Sequence, residues 1–132
     1  MIALDTSVLA RLLLGDDPDQ QLLAEHLVRD NACCVSWSVL VELCWVLQRS
    51  ANLSRGKVAA AFRLLQEIDG ISLPSDDSFN WAVARYEAGA DFADMVHLVS
   101  ALSGSTGFAT FDRKLERQAG HTVGLPIMTI RA

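Results

Sequence analysis

Cysteine is scarce in this sequence and never occurs as a Cys-x-x-Cys pair. The three cysteines, Cys33, Cys34 and Cys44, lie in apolar segments, so we expect buried, reduced thiols. This usage excludes a disulfide framework and a zinc ribbon. No apolar stretch approaches the length of a membrane span, and no basic segment precedes the first apolar run as it would in a signal peptide. We therefore expect a cytoplasmic protein.

Positive charge is also in short supply, since 11 Lys and Arg residues stand against 16 Asp and Glu residues. The resulting net charge of −5 argues mildly against broad nucleic-acid binding, although a bound metal would offset part of it. Nine of the 11 cations are Arg, which suits contact with phosphate or carboxylate but is also common on ordinary surfaces. The 132 residues, of which 51% are hydrophobic, predict one globular domain spanning 1–132.

Short apolar runs alternate with amphipathic segments along the whole chain. We predict strands at 2–4, 32–35, 71–73, 108–111 and 126–130. We predict helices at 8–14, 18–29, 37–48, 55–68, 76–88, 92–103 and 113–118. Helix starts are marked by capping residues: Thr6 or Ser7, Asp17, Ser36 or Ser38, Ser54, Ser75 and Asp91. The alternation predicts an α/β fold with crossover helices and a central, mostly parallel sheet of four to five strands.

Two of these helices, together with Leu102 and the tryptophans, carry predictions about which side chains are buried. The helix at 18–29 has Leu22, Leu23, His26 and Leu27 on one face. The helix at 37–48 is apolar nearly all round, which predicts burial on more than one side. We expect Leu102 to be buried with its neighbours in the helix at 92–103. The tryptophans, Trp37, Trp45 and Trp81, are most simply core or interface residues.

Four acids stand in settings where a lone carboxylate is expensive: Asp5, Glu42, Asp94 and Asp112. Asp5 ends the first predicted strand, which we expect to be buried and central, and Asp112 ends the fourth. In open α/β sheets, ligands bind outside the carboxyl ends of the strands. We therefore predict that the fold brings the four acids to one spot to hold a divalent metal.

Glu42 carries the sharpest of these signals, because three apolar residues precede it and five follow. Charged residues are almost never fully buried unless they are paired. Its position in mid-helix excludes a capping role, so a salt bridge to an Arg is the main structural alternative. We expect a functional role for this buried charge.

Asp94 lies one helical turn after Asp91, so both side chains face the same way. Asp91 is most simply the N-cap of the helix. Asp94 is in the first turn, where the helix dipole alone would favour a carboxylate, but its apolar neighbours indicate a metal ligand. His97 is expected to be a structural partner of Asp94, and His26 and His121 belong to no motif.

A set of four carboxylates suits a hard cation, Mg²⁺ or Mn²⁺, better than Zn²⁺. Without a cation, like charges this close raise one another's pKa. With a metal, the pKa of a bound water falls and the leaving oxygen of a phosphodiester is stabilised. Thr6, Ser7 and Thr110 are candidates for orienting the ligands or the water.

These residues resemble the four acidic motifs of the PIN-domain nucleases. The motifs are Ile-Ala-Leu-Asp-Thr-Ser at the start, Ser38-Val-Leu-Val-Glu42, Asp91-Phe-Ala-Asp94 and Thr110-Phe-Asp112. The string Gly89-Ala-Asp-Phe-Ala-Asp and the small size resemble VapC-type toxins of toxin–antitoxin pairs. The resemblance implies a three-layer α/β/α fold and a Mg²⁺- or Mn²⁺-dependent endoribonuclease. It places Asp5, Glu42, Asp94 and Asp112 in the acidic site, with Thr6, Ser7 and Thr110 as accompanying polar residues.

The resemblance also implies a homodimer and a small VapB-like antitoxin whose Arg enters the acidic pocket. Exposed apolar residues of the second and fourth helices are candidates for the dimer surface. RNA is expected to contact Arg11, Arg113, Lys114 and Arg117, which should flank the strand ends. Arg49, Arg55 and Lys57 are the second choice for this contact.

Two other functions remain open. One is an Asp-based phosphatase, but haloacid-dehalogenase-like enzymes need a second Asp two residues after the first, where this chain has Ser7. The other is a non-catalytic binding module whose acidic pocket docks a basic partner. A module of that kind binds an Arg-bearing peptide tightly and binds no divalent ion.

Overall fold

Short parallel strands alternate with helices in the computed structural model, which describes residues 1–120 and 124–131. The chain divides into two compact units, Met1–Phe79 and Asn80–Ala132, which we call the first and the second unit. His121, which has no predicted role, lies outside the described residues. No helix in the described ranges is both long enough and apolar enough to cross a membrane.

The first unit contains a three-stranded parallel sheet. Its strands are β1 (Ile2–Ala3), β2 (Cys33–Cys34) and β3 (Ile71–Ser72). Its helices are α1 (Thr6–Leu14), α2 (Pro18–Asp30), α3 (Trp37–Trp45) and α4 (Arg55–Glu67), and α3 continues into a π-helical segment at Val46–Ser50. The middle strand is β2, which pairs in parallel with both neighbours. The chain then enters α5 (Asp76–Glu87), which begins in the first unit and ends in the second.

The second unit contains a two-stranded parallel sheet. Its elements after α5 are α6 (Phe92–Ala101), β4 (Phe108–Thr110), α7 (Leu115–Ala119) and β5 (Ile127–Thr129). Phe108 pairs with Ile127, and Thr110 pairs with Thr129. All five predicted strands therefore exist, shorter than expected, and every strand pair is parallel, which confirms the α/β fold class.

Five helix starts follow the predicted capping residues, but α1 does not: its N-cap is Asp5, and the predicted caps Thr6 and Ser7 lie inside the helix. The side chains of Asp17, Ser36 and Ser54 each accept a hydrogen bond from a backbone N–H three residues later, at 3.1, 3.4 and 3.3 Å. Ser75 and Asp91 do the same for α5 and α6, at 3.4 and 2.9 Å. Each bond satisfies one N–H group that a helix start leaves without an intrahelical partner. These five signals are confirmed.

Large apolar side chains fill the interior of both units. In the first, Phe62 meets Phe79 edge to face, with ring centroids 6.0 Å apart. In the second, Tyr86 meets Phe92 in the same way, also at 6.0 Å. The thiols are free as predicted: Cys33 and Cys44 are buried, and Cys34 is half-buried.

Three predictions of burial are wrong. Ile2 and Ala3 of β1 are exposed, because β2 and not β1 is the middle strand of the first unit. In α2 the buried residues are the smaller Ala24 and Val28, so the face that contains Leu22, Leu23 and His26 is exposed. Leu102 is exposed as well, because α6 ends at Ala101.

Candidate active site

Asp5 follows β1 directly and occupies the N-cap position of α1 with an extended backbone. Its side chain makes no capping bond; instead its Oδ2 accepts a hydrogen bond of 3.1 Å from the hydroxyl of Ser7. The carboxylate is exposed at the carboxyl end of the strand, as predicted. Ser7 therefore orients a carboxylate that remains accessible to a ligand.

Thr6 is the buried polar residue beside this acid. Its hydroxyl oxygen is fully buried and has no hydrogen-bond partner among the described residues. An unpaired buried hydroxyl costs free energy and calls for a partner such as a water or a ligand. The predicted accompanying role of Thr6 stays a prediction.

Glu42 does not have the buried setting that its neighbours in sequence predicted. It lies on the exposed face of α3, whereas Leu40, Leu43 and Cys44 form the buried face. The helix is apolar nearly all round but only one side of it is covered, so the cost of burying a lone charge does not arise. The alternative is also wrong, because Glu42 forms no salt bridge within residues 1–120 and 124–131.

Asp94 lies in the first turn of α6 and is half-buried. The side chain of Asp91 accepts a hydrogen bond from the Asp94 N–H at 2.9 Å and so fixes the start of the helix. Burial raises the pKa of the Asp94 carboxyl group, and the negative charges of Asp91 and then Asp112 raise it further; His97 opposes them. The charge of Asp112 therefore acts on Asp94 within the second unit.

Asp112 follows β4, which ends at Thr110 and not at Phe111 as predicted. The Asp112 N–H donates to the Thr110 hydroxyl at 3.0 Å, and its Oδ1 accepts from the Lys114 N–H at 2.9 Å. These two bonds hold the acid in the turn between β4 and α7. The Thr110 hydroxyl contacts the Asp112 backbone, and its predicted role in orienting a ligand or a water stays a prediction.

The predicted RNA contacts differ in their surroundings. Arg113, Lys114 and Arg117 are exposed in and after the turn that contains Asp112. Arg11 instead donates a hydrogen bond to Asp16, an ion pair that raises the pKa of Arg11 and lowers that of Asp16. Arg113 and Lys114 therefore follow the carboxyl end of β4, Arg117 lies within α7, and Arg11 is engaged by a carboxylate.

Each of the two units contains two of the four predicted acids. The first unit supplies Asp5 and Glu42, and the second supplies Asp94 and Asp112. Within neither unit do the described residues include three or more Asp, Glu, His or Cys side chains grouped so as to hold a metal ion. The meeting of all four acids stays a prediction.

The family comparison covers nearly all of this sequence. The profile of the PIN domain matches residues 2–121, a range that includes all four acids. The chain belongs to the PIN domain family. This PIN domain therefore has a nuclease-type α/β fold, and PIN domains are typically Mg²⁺-dependent nucleases. No curated protein matches the chain.

One feature of this PIN domain was missed from the sequence. Trp45 is exposed on α3, and the guanidinium of Arg49 lies over its ring, with Cζ 4.0 Å from the ring centroid. The sequence predicts only that Trp45 is a core or interface residue. The four-residue spacing of an aromatic and an Arg on one helix was the available signal, since such pairs share a face.

Proposed function

We propose that this PIN domain is a Mg²⁺- or Mn²⁺-dependent endoribonuclease that acts as the toxin of a toxin–antitoxin pair. The observation that supports the nuclease is the PIN profile over residues 2–121, which spans all four acids in order. The toxin assignment rests on the Gly89-Ala-Asp-Phe-Ala-Asp string.

The donor chemistry fits a hard divalent cation. All four acids offer only oxygen ligands, as Mg²⁺ and Mn²⁺ prefer. Asp94 resists ionisation because of burial and its acidic neighbours, and a cation is the natural counter-charge for such a group. The unpartnered hydroxyl of Thr6, next to Asp5, adds a buried polar atom to the same set.

The chain's own residues have distinct roles in this proposal. Asp5, Glu42, Asp94 and Asp112 hold the cation, which when bound lowers the pKa of an attacking water and stabilises the leaving oxygen of the phosphodiester. Ser7 orients Asp5 through its hydrogen bond. Asp91 fixes the start of the helix that presents Asp94, and Thr110 and the Lys114 backbone hold Asp112 in its turn.

The nuclease is tested by incubating the purified protein with structured RNAs in Mg²⁺, in Mn²⁺ and in chelator. We expect metal-dependent cleavage that falls at least about 100-fold, or roughly 3 kcal/mol of transition-state stabilisation, in Asp5→Asn, Glu42→Gln, Asp94→Asn and Asp112→Asn. Matched controls are Asp77→Asn, an exposed acid in the first turn of α5, and Glu67→Gln, an exposed acid in α4. Cleavage that survives the four changes at Asp5, Glu42, Asp94 and Asp112, or that persists in chelator, contradicts the proposal.

The toxin role requires a partner. We propose a small antitoxin that presents an Arg to the acidic site, since an Arg–carboxylate pair is strong and directional, and a homodimeric active form. Expression of this chain alone should arrest growth, and co-expression of the adjacent small reading frame should restore it. RNA cleavage in the test tube without growth arrest in cells leaves a nuclease that is not a toxin.

A further inference from the structure

Trp45 is a large exposed aromatic residue that lies on the same face of α3 as an acid. Its side chain is 58% exposed. Glu42 lies one turn before it and Arg49 one turn after it, and both are exposed. The exposed face of this helix therefore carries an acid, an indole ring and a guanidinium in that order.

The backbone places Arg49 against this ring. The chain leaves α3 at Trp45 and makes a π-helical turn over Val46–Ser50, closed by a bond of 3.0 Å from the Ala51 N–H to the Val46 carbonyl. A π turn holds more residues than an α turn, so position i+4 falls more nearly in line with position i. Such turns are rare and frequently occur at functional sites.

Arg49 is free to bind an anion. In the part of the chain that the structure describes, it forms no salt bridge with a carboxylate, and its guanidinium lies over the Trp45 ring. Arg49 is exposed, and the Trp45 side chain beneath it is 58% exposed. An aromatic face beside an uncompensated guanidinium is the pattern that binds an unpaired base and its phosphate.

We infer that Trp45 and Arg49 form a stacking platform for one unpaired base of the RNA substrate, one helical turn from Glu42. The inference rests on the proposed nuclease function. Base stacking on an aromatic ring is tolerant of sequence, so the platform selects single-stranded over paired RNA and does not select a particular base. Arg49 contacts the phosphate of the stacked nucleotide.

A protein partner fits this face less well. A stable interface covers about 800 Å² on each partner around an apolar centre, whereas one tryptophan supplies at most about 250 Å². The residues at i−3 and i+4 from Trp45 are charged. A single base covers the ring without burying Glu42 or Arg49. A single base is therefore the occupant that fits this pattern of charges.

The test uses a short fluorescein-labelled single-stranded RNA and the same RNA annealed to its complement. Dissociation constants are measured in chelator by anisotropy, and KM and kcat are measured in Mg²⁺. The variants are Trp45→Ala, Trp45→Phe and Arg49→Gln. The control is Leu64→Ala on α4, because Leu64 is also 58% exposed.

We expect Trp45→Ala to weaken single-strand binding and raise KM about 5- to 150-fold with kcat little changed. Trp45→Phe should retain most of the affinity, and Leu64→Ala all of it. A set of RNAs that each lack one base locates the stacked nucleotide. Removal of that base should weaken binding to the wild-type protein, whereas the same removal should not weaken binding to Trp45→Ala any further. Duplex RNA should bind all variants alike.

Two results overturn the platform while leaving the nuclease intact. One is wild-type affinity and KM in Trp45→Ala. The other is weaker RNA binding by Trp45→Ala together with a change from dimer to monomer in sedimentation, a result that makes Trp45 an interface residue. A wild-type protein that neither binds nor cleaves RNA refutes the proposed function and the platform together.

Discussion

Asp94 carries an electrostatic cost in the folded protein, since burial and the charges of Asp91 and Asp112 raise the pKa of its carboxyl group. The folded state therefore binds this proton more tightly than the unfolded state does. The charged carboxylate lowers stability at pH values above the raised pKa, and the cost disappears as the pH falls through that pKa. A divalent cation relieves the same cost by supplying positive charge.

Replacing Asp94 by Asn should therefore stabilise the metal-free protein. We expect a gain of roughly a few tenths of a kcal/mol at neutral pH, because the group is partly exposed and solvent screens its charge. The gain should vanish at acidic pH, where the wild-type carboxyl group is protonated. Urea denaturation across the pH range in chelator measures both effects.

The matched change Asp77→Asn should bring no gain, since Asp77 is an exposed acid in the first turn of α5. Addition of Mg²⁺ should stabilise the wild-type protein more than the Asp94 variant. A loss of stability in Asp94→Asn at neutral pH, as expected if this carboxylate mainly serves the helix dipole, contradicts the electrostatic account.

Glu42 marks the limit of residue-level prediction from sequence. Its neighbours along the chain are apolar, but neighbours along a helix point in different directions, and burial depends on which side meets the rest of the fold. Leu40 and Leu43 are covered and Glu42 is not. The argument from its apolar neighbours was therefore wrong, and the place of Glu42 in the acidic site stays a prediction.

At the level of elements, α3 depends on its first turn. Ser36 is the last residue between β2 and α3. Its hydroxyl oxygen accepts a hydrogen bond of 3.4 Å from the Val39 N–H. This bond fixes where α3 begins. The packing of Leu40, Leu43 and Cys44 against the fold leaves Glu42 and Trp45 on the outward face.

We expect Ser36→Ala to lower the free energy of unfolding by about 0.5–2 kcal/mol, because the N-cap bond is lost. Ser36→Asn should restore most of the loss, since Asn is also a good N-cap. The control is Ser100→Ala, an exposed serine within α6. Chemical denaturation measures these values, and equal stability of the wild-type protein and Ser36→Ala would show that the cap contributes nothing.

Helix starts were predictable because a capping side chain acts on a backbone group three residues away. The π-helical turn at Val46–Ser50 was not, because no local residue pattern marks it. The exposed face of α2 was also not predictable, since the small residues Ala24 and Val28 are buried while larger leucines remain outside. Tertiary packing, not local hydrophobicity, decides such cases.

For the whole molecule, the order of elements and the parallel pairing followed from the alternation of apolar runs and amphipathic segments. The four acidic motifs in order predicted the family, which the match over residues 2–121 confirms. No single stretch of sequence tests the prediction that the four acids act together, because Asp5 and Asp112 are separated by most of the chain.

Calorimetric titration of Mn²⁺ into the wild-type protein, Asp5→Asn and Asp94→Asn tests the shared metal set most directly. The two variants remove one acid from each unit. We predict saturable binding by the wild-type protein and at least about 10-fold weaker binding by both variants, because each acid contributes to the same cation site. Unchanged affinity and stoichiometry in Asp5→Asn, beside lost binding in Asp94→Asn, would contradict the account.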